Sequence, residues 1–201
     1  MFQGLLAELE KNLKRLPGIG SKSAQRLAMF ILNDDKASAL KLANSIKEAV
    51  ETYTHCSVCN MLSETDPCEF CSDDNRDNQI ICVVENTQDI YLIENTHAYN
   101  GTYYVLNDLL SPLDGIGPEQ INFAGLQQLI SKNKVSEVIL ALSPSSEGET
   151  TMNFLAEELA SQTDKITRLS TGLPFGGDIE YTSSLTLINA FKRRYNVKEN
   201  G

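Results

Sequence analysis

Four of the five cysteines in this chain form two Cys-x-x-Cys knuckles, Cys56-Ser57-Val58-Cys59 and Cys68-Glu69-Phe70-Cys71, separated by the eight residues Asn60 to Pro67. The opening Met1-Phe2-Gln3-Gly4 lacks the basic residues of a secretory leader, and the longest apolar runs, such as Val138-Ile139-Leu140-Ala141-Leu142, fall far short of the roughly 20 residues that span a bilayer. The expectation is a soluble, cytoplasmic protein with no membrane partner, in which thiols stay reduced and paired cysteines hold metal rather than each other. Each knuckle turns tightly enough to aim two thiolates at one point, and two knuckles complete the closed tetrahedral set of structural zinc. Four sulfur ligands leave no open position for catalysis, so one zinc ion per chain is expected at Cys56, Cys59, Cys68 and Cys71, contributing folding free energy to a short polar segment. Adjacent residues rarely both reach one metal, so His55 is a bystander. Cys82, inside the apolar run Ile80-Ile81-Cys82-Val83-Val84, reads as a small buried hydrophobe.

The chain before the knuckles reads as helical. Phe2, Leu5, Leu6, Leu9, Leu13 and Leu16 recur at steps of three and four, predicting one apolar helix face that ends at Pro17. Ala24, Leu27, Ala28 and Ile31 repeat the pattern. Between them, Pro17-Gly18-Ile19-Gly20 permits a hairpin, with Ser21 expected as N-cap of the second helix. Such a hairpin offers bare backbone N–H groups and a helix N-terminus to a phosphate, flanked by Lys22 and Arg26 on one helix face. Such geometry meets phosphate and backbone and carries no base code, so binding there would be sequence-independent and salt-sensitive. A P-loop for ATP is excluded, because Gly20 is followed by Ser21 rather than Lys and no strand precedes it.

The stretch from Pro17 to Ala28 resembles the helix-hairpin-helix of DNA-repair proteins, and together with the double Cys-x-x-Cys the chain resembles the RecR family of bacterial recombination mediators. From Gln79 onward, strands are predicted at Ile80 to Val84, Thr102 to Leu106, Val135 to Leu142 and Lys165 to Leu169. Helices are predicted at Thr87 to Glu94, Asn122 to Lys132, Thr150 to Ser161 and Ser184 to Tyr195. The alternation implies an α/β fold with a mostly parallel sheet, and that arrangement resembles a Toprim domain. The expected organisation is an N-terminal helix-hairpin-helix (residues 1–54), a small four-cysteine zinc module (55–72), the mostly parallel, Toprim-like sheet domain (79–175) and a C-terminal helical segment (176–201).

In catalytic Toprim enzymes a Glu after the first strand and an Asp-x-Asp after a later one hold magnesium. Glu85 matches the first position, but the second reads Ser143-Pro144-Ser145, so the carboxylate pair is missing and the domain is expected to be non-catalytic. RecR proteins usually carry Asn-Pro-Thr there, and the serines depart from that pattern. Further RecR-like stretches are Leu110 to Pro118 and Gly172 to Glu180.

The charge is split. The net charge of −10 combines +3 over residues 1–50, −16 over 51–191 and +3 over 192–201, so a nucleic-acid contact belongs near the ends of the chain. The family resemblance implies a DNA-binding mediator without enzymatic activity that acts with RecO, and in some settings RecF, to load recombinase onto single-stranded DNA. It also implies self-assembly into dimers or tetrameric rings, with DNA contact on Lys22 and Arg26. Glu85, Asp89, Glu147 and Glu149, all near strand ends, form a candidate acidic surface for a basic partner such as RecO. The alternatives are a Toprim nuclease or primase-like phosphoryl transferase using Glu85 with Glu147 or Glu149, and a structural zinc protein that only bridges other proteins.

Overall fold

A computed structural model describes residues 2–33, 35–170, 172–173, 176–192 and 194. The chain divides into two units, one up to Tyr53 and one from Thr54 onward.

The first unit is three helices, α1 (Gly4–Leu13), α2 (Ser21–Asn33) and α3 (Lys36–Thr52). The first ends at Leu13 rather than at Pro17. Lys14 still donates to the Glu10 carbonyl, but Arg15 and Leu16 donate three residues back, to Asn12 and Leu13. The residue before proline is sterically driven out of the α region, and the chain tightens into turns as it approaches Pro17. Gly18 then takes a positive φ of 77°. The cap of α2 falls one residue earlier than expected: the Gly20 carbonyl accepts the first helical bond from Ala24 at 2.9 Å, and Ser21 is already helical. The Gln25 amide donates to Glu10 Oε1 at 3.1 Å, tying α2 to α1. Asp35 caps α3 by accepting from the Ser38 N–H. Among the described residues of this unit only Ala24 and Ala28 are buried, whereas Leu5 (85%), Phe30 (66%) and Val50 (77%) stand largely in solvent.

The second unit begins with a small antiparallel hairpin, β1 (Thr54–His55) and β2 (Leu62–Ser63), which carries the first knuckle. There follow β3 (Asp77–Val84), α4 (Thr87–Glu94), β4 (Gly101–Val105), α5 (Phe123–Asn133), β5 (Glu137–Ala141), α6 (Ser146–Leu159) and β6 (Lys165–Arg168). A 3-10 turn at Ile179–Tyr181 and α7 (Ser184–Lys192) close the described chain. The predicted continuation of the last helix to Tyr195 lies outside the described residues, as do Pro174 and Phe175 of the Gly172 to Glu180 stretch. The four long strands form one parallel sheet in the order β4-β3-β5-β6. After β3 the chain winds first to one side and then to the other, so the switch point of the sheet lies between the carboxyl ends of β3 and β5.

Alternation along the strands divides the core. Ile81 and Val83 of β3 with Val138 and Leu140 of β5 face α5 and α6 through Leu126, Ile130, Leu155 and Leu159. Cys82 and Val84, with Tyr103 and Val105 of β4, face the other way. They pack on Ile90 of α4 and on Cys56, Cys59, Met61 and Cys68 of the knuckles. The cysteine segment thus covers a sheet face, and Cys82 is the buried apolar group its surroundings predicted. Burial pushes its thiol up to about 12.

Candidate functional site

Backbone bonds shape each knuckle. The Cys56 N–H donates to the Met61 carbonyl at 2.8 Å and the Asn60 N–H to the Cys56 carbonyl at 2.9 Å, with Asn60 at a positive φ of 63°. In the second knuckle the N–H groups of Cys71 and Ser72 both reach the Cys68 carbonyl. The four sulfurs that result lie within 4.8 Å of one another, and Cys59 Sγ and Cys68 Sγ are 3.5 Å apart. A tetrahedral ion with bonds of about 2.3 Å holds its sulfurs about 3.8 Å apart, so the cluster has the size and donor set of a zinc site. Cys56, Cys59 and Cys68 are buried. Hydrogen bonding between them splits the thiols, holding Cys68 well down and pushing Cys59 far up. The Cys68 N–H also points at Cys56 Sγ, at 3.3 Å. His55 stays outside the cluster, its Nδ1 donating to the Asn60 carbonyl at 3.0 Å.

On α2, Lys22 and Arg26 are exposed, one turn apart, and neither has an ion-pair partner among the described residues. They line an open cavity of about 1000 Å³ together with Gln25 and Phe30. The first N–H groups of α2 have no intrahelical acceptor, and they open toward the Gly18–Gly20 turn.

At the sheet switch point, Glu85 follows directly on β3, and the Ser143 hydroxyl after β5 donates to Glu85 Oε2 at 3.4 Å. Ser145 caps α6 by accepting from the Gly148 N–H at 3.0 Å. That cap starts the helix at Ser146, four residues ahead of the predicted Thr150, because a serine-rich loop and a helix N-terminus have the same composition. Glu147 and Glu149 therefore sit in the first turn of a helix, where carboxylates are favoured by the dipole. Glu147 is exposed. Glu149 forms a two-pronged ion pair with Arg168 of β6, at 2.7 and 2.9 Å. Asp89 completes a capping box on α4, accepting from the Asn86 N–H at 2.9 Å. The four candidate acids thus share the carboxyl end of the sheet, with Asp89 and Glu149 also holding local structure.

One cluster escaped the sequence reading. Arg76, with its side chain only 9% exposed, pairs with both carboxylate oxygens of Glu94, donates to the Gly101 carbonyl and lies 4.8 Å over the Phe70 ring. The Tyr103 hydroxyl donates to the same Glu94. The guanidinium holds Glu94 below the usual carboxylate range. This cluster locks the second knuckle to β4 and α4. The available signal was that Arg76 is the sole Lys or Arg between Lys47 and Lys132.

A hairpin of helices, a four-cysteine cluster and a parallel sheet with a Toprim-like strand end define a class of proteins that act on DNA. Family matches follow the same order: the helix-hairpin-helix of RecR over residues 6–50, the four-cysteine zinc finger domain of RecR over 53–73 and a Toprim domain over 79–170. The recombination protein RecR of Gloeothece citriformis (strain PCC 7424) is 46% identical over 200 residues, covering 100% of both chains. RecR of Francisella tularensis subsp. tularensis (strain FSC 198) is 43% identical over 197 residues, 98% of each chain. The chain belongs to the RecR family of recombination proteins.

Proposed function

We propose that this protein is a non-catalytic recombination mediator that binds DNA without regard to sequence and, with RecO and in some settings RecF, helps load recombinase onto single-stranded DNA. The observation that carries the reading is the pair Lys22 and Arg26, two exposed cations with no ion-pair partner among the described residues, beside the N-terminus of α2 in the net-positive first 50 residues of a chain whose middle is acidic. Phosphates meet both the side chains and the free N–H groups there, and no base edge is read. Two cations bind weakly by themselves, so repeated contacts in an assembly supply the affinity.

Self-assembly into dimers or tetrameric rings is supported by the first unit, whose helices leave Leu5, Phe30 and Val50 in solvent with only two alanines buried among the described residues. A three-helix unit of this kind lacks a core of its own and gains one by pairing with a second copy. One structural zinc ion per chain, held by Cys56, Cys59, Cys68 and Cys71, fits the sulfur spacing. Absence of catalysis is supported by Ser143, whose hydroxyl meets Glu85 where a nuclease needs a second carboxylate. Glu85, Asp89, Glu147 and Glu149 form the acidic rim offered to a basic partner, RecO. A cytoplasmic location among the DNA agrees with the lack, among the described residues, of any helix long and apolar enough to cross a membrane.

The test is DNA binding by the wild type and a Lys22→Ala, Arg26→Ala variant across a salt series, with and without RecO. The variant loses binding or RecO-dependent loading, and its log–log salt slope becomes shallower by about 1.4 on single strands, two contacts at about 0.7 each. Identical curves overturn the assignment of the hairpin as the DNA contact.

A further inference from the structure

Between β4 and α5 the chain crosses the carboxyl end of the sheet. The Asn107 N–H donates to the Glu85 carbonyl at 2.9 Å, and the Leu110 N–H donates at 2.8 Å to the buried hydroxyl of Thr151 in α6. The Thr151 hydroxyl in turn donates to the Glu147 carbonyl at 2.7 Å, so this segment is bonded to both parts of the acidic rim. It then folds into a tight turn. Ser111 and Ile116 exchange backbone bonds at 3.1 and 2.9 Å, the Asp114 N–H reaches the Ser111 carbonyl, and the Ser111 hydroxyl donates to Asp114 Oδ2 at 2.6 Å. Gly115 supplies the positive φ of 74° that closes it. Leu110 and Ile116, at the base, pack into the sheet core. At the tip stands Leu113, 100% exposed.

A lone exposed leucine on a surface is ordinary. Here, however, the leucine is held by a turn bonded across its base, bonded through a side chain and anchored in the core, so ordering it on binding costs little. It gains nothing for the stability of the chain. The segments that carry it and lie bonded to it are acidic: residues 107–121 hold Asp108, Asp114 and Glu119 and no Lys or Arg, and Glu147 is exposed in the first turn of α6, whereas Glu149 is paired with Arg168. Charges of one sign around an apolar anchor select a partner by complementarity and leave the desolvated centre to carry affinity.

We infer that Leu113 is the apolar anchor of the acidic rim, seated in a hydrophobic pocket of a protein partner whose surrounding surface is basic. This rests on the partner surface proposed above and adds the residue that holds the partner once charge has steered it.

The experiment uses the full-length chain with purified RecO as the probe, comparing wild type, Leu113→Ser, Ser111→Ala and Glu147→Lys by equilibrium binding at several salt concentrations. Because Leu113 is fully exposed, its variant keeps the wild-type melting temperature. Expected is a loss of about tenfold or more for Leu113→Ser with an unchanged salt slope, a smaller loss for Ser111→Ala, and a changed salt slope for Glu147→Lys. A wild-type affinity for Leu113→Ser beside a weakened Glu147→Lys overturns the anchor and leaves the acidic surface standing. If both variants bind as wild type, the acidic surface falls and the anchor with it. A Leu113→Ser variant that binds RecO normally but changes the subunit count in sedimentation also overturns the inference, assigning the leucine to contacts between copies of this chain.

Discussion

The Ser143 hydroxyl donates to Glu85 Oε2 across 3.4 Å, joining the strand ends of β3 and β5 at the switch point of the sheet. In a phosphoryl-transfer site that neighbour would be a carboxylate, and the repulsion between two carboxylates would be relieved by a divalent ion. Here the neighbour is a neutral hydroxyl at a long 3.4 Å, which adds no second charge.

Restoring the acids should therefore restore the ion. The Ser143→Asp, Ser145→Asp double variant is expected to bind Mn²⁺ measurably, and the wild type not to, in a titration followed by the electron paramagnetic signal of free Mn²⁺. Asp is as good an N-cap as Ser, so α6 keeps its start and the fold is maintained. Equal Mn²⁺ binding by both proteins would contradict the role given to Ser143.

Cys59 is buried in the same cluster as Cys82, Val84 and Tyr103 of the sheet. Cys59→Ser is expected to abolish stoichiometric zinc and to lower stability by about 3 kcal/mol or more, because metal binding and packing are lost together. Metal analysis and a thermal melt followed by tyrosine fluorescence check this. A melt unchanged in the zinc-free variant would show that the knuckles are energetically separate from the sheet.

The Arg76–Glu94 pair gives stability a pH dependence of known sign. Glu94 titrates below its ordinary value of 4.5 because of its bonds to Arg76, so the folded state binds fewer protons than the unfolded one. The stabilisation is fully present above pH 4.5 and is lost as pH falls through the lower, folded value. Glu94→Gln is expected to cost about 2 to 3 kcal/mol at pH 7 and to flatten this acid limb, read from urea midpoints between pH 3 and pH 7.

Gly148 lies in the first turn of α6 with the Ser143 carbonyl so close that a Cβ would come within 1.9 Å of its oxygen. The obstacle is backbone, so it cannot swing aside. Gly148→Ala is expected to destabilise by about 2 to 3 kcal/mol, despite the better helix propensity of alanine, and to displace the Ser143 hydroxyl from Glu85. Denaturant unfolding checks the first effect.

Much of this arrangement was legible in the residues. The α4 helix runs from Thr87 to Glu94 as its pattern predicts, and the run around Cys82 is a strand, because two pairs of β-branched residues flanking one small apolar cysteine leave few other choices. The cysteine cluster was legible because metal-ligand spacing is a local property. What escaped was of another kind. The end of α1 is a contest between helix periodicity and the steric reach of Pro17, which no period count resolves. The start of α6 depends on Ser145 turning back to Gly148, and Arg76 meets Glu94 across 18 residues of chain through a fold that had first to exist. Pairings in space leave only faint marks in sequence, such as one lone arginine.

The knuckles also do something for β4. This strand ends the sheet, and its outer edge would otherwise present unpaired backbone groups. Instead, the Val105 N–H donates to the Cys59 carbonyl at 2.9 Å, the Val105 carbonyl accepts from the Asn60 amide at 2.8 Å, and Arg76 takes the Gly101 carbonyl. A flat open edge recruits strands from other chains. A change that opened the four-cysteine cluster would loosen this cover as well, and the outer edge of β4 would then be free to pair with a strand of another chain.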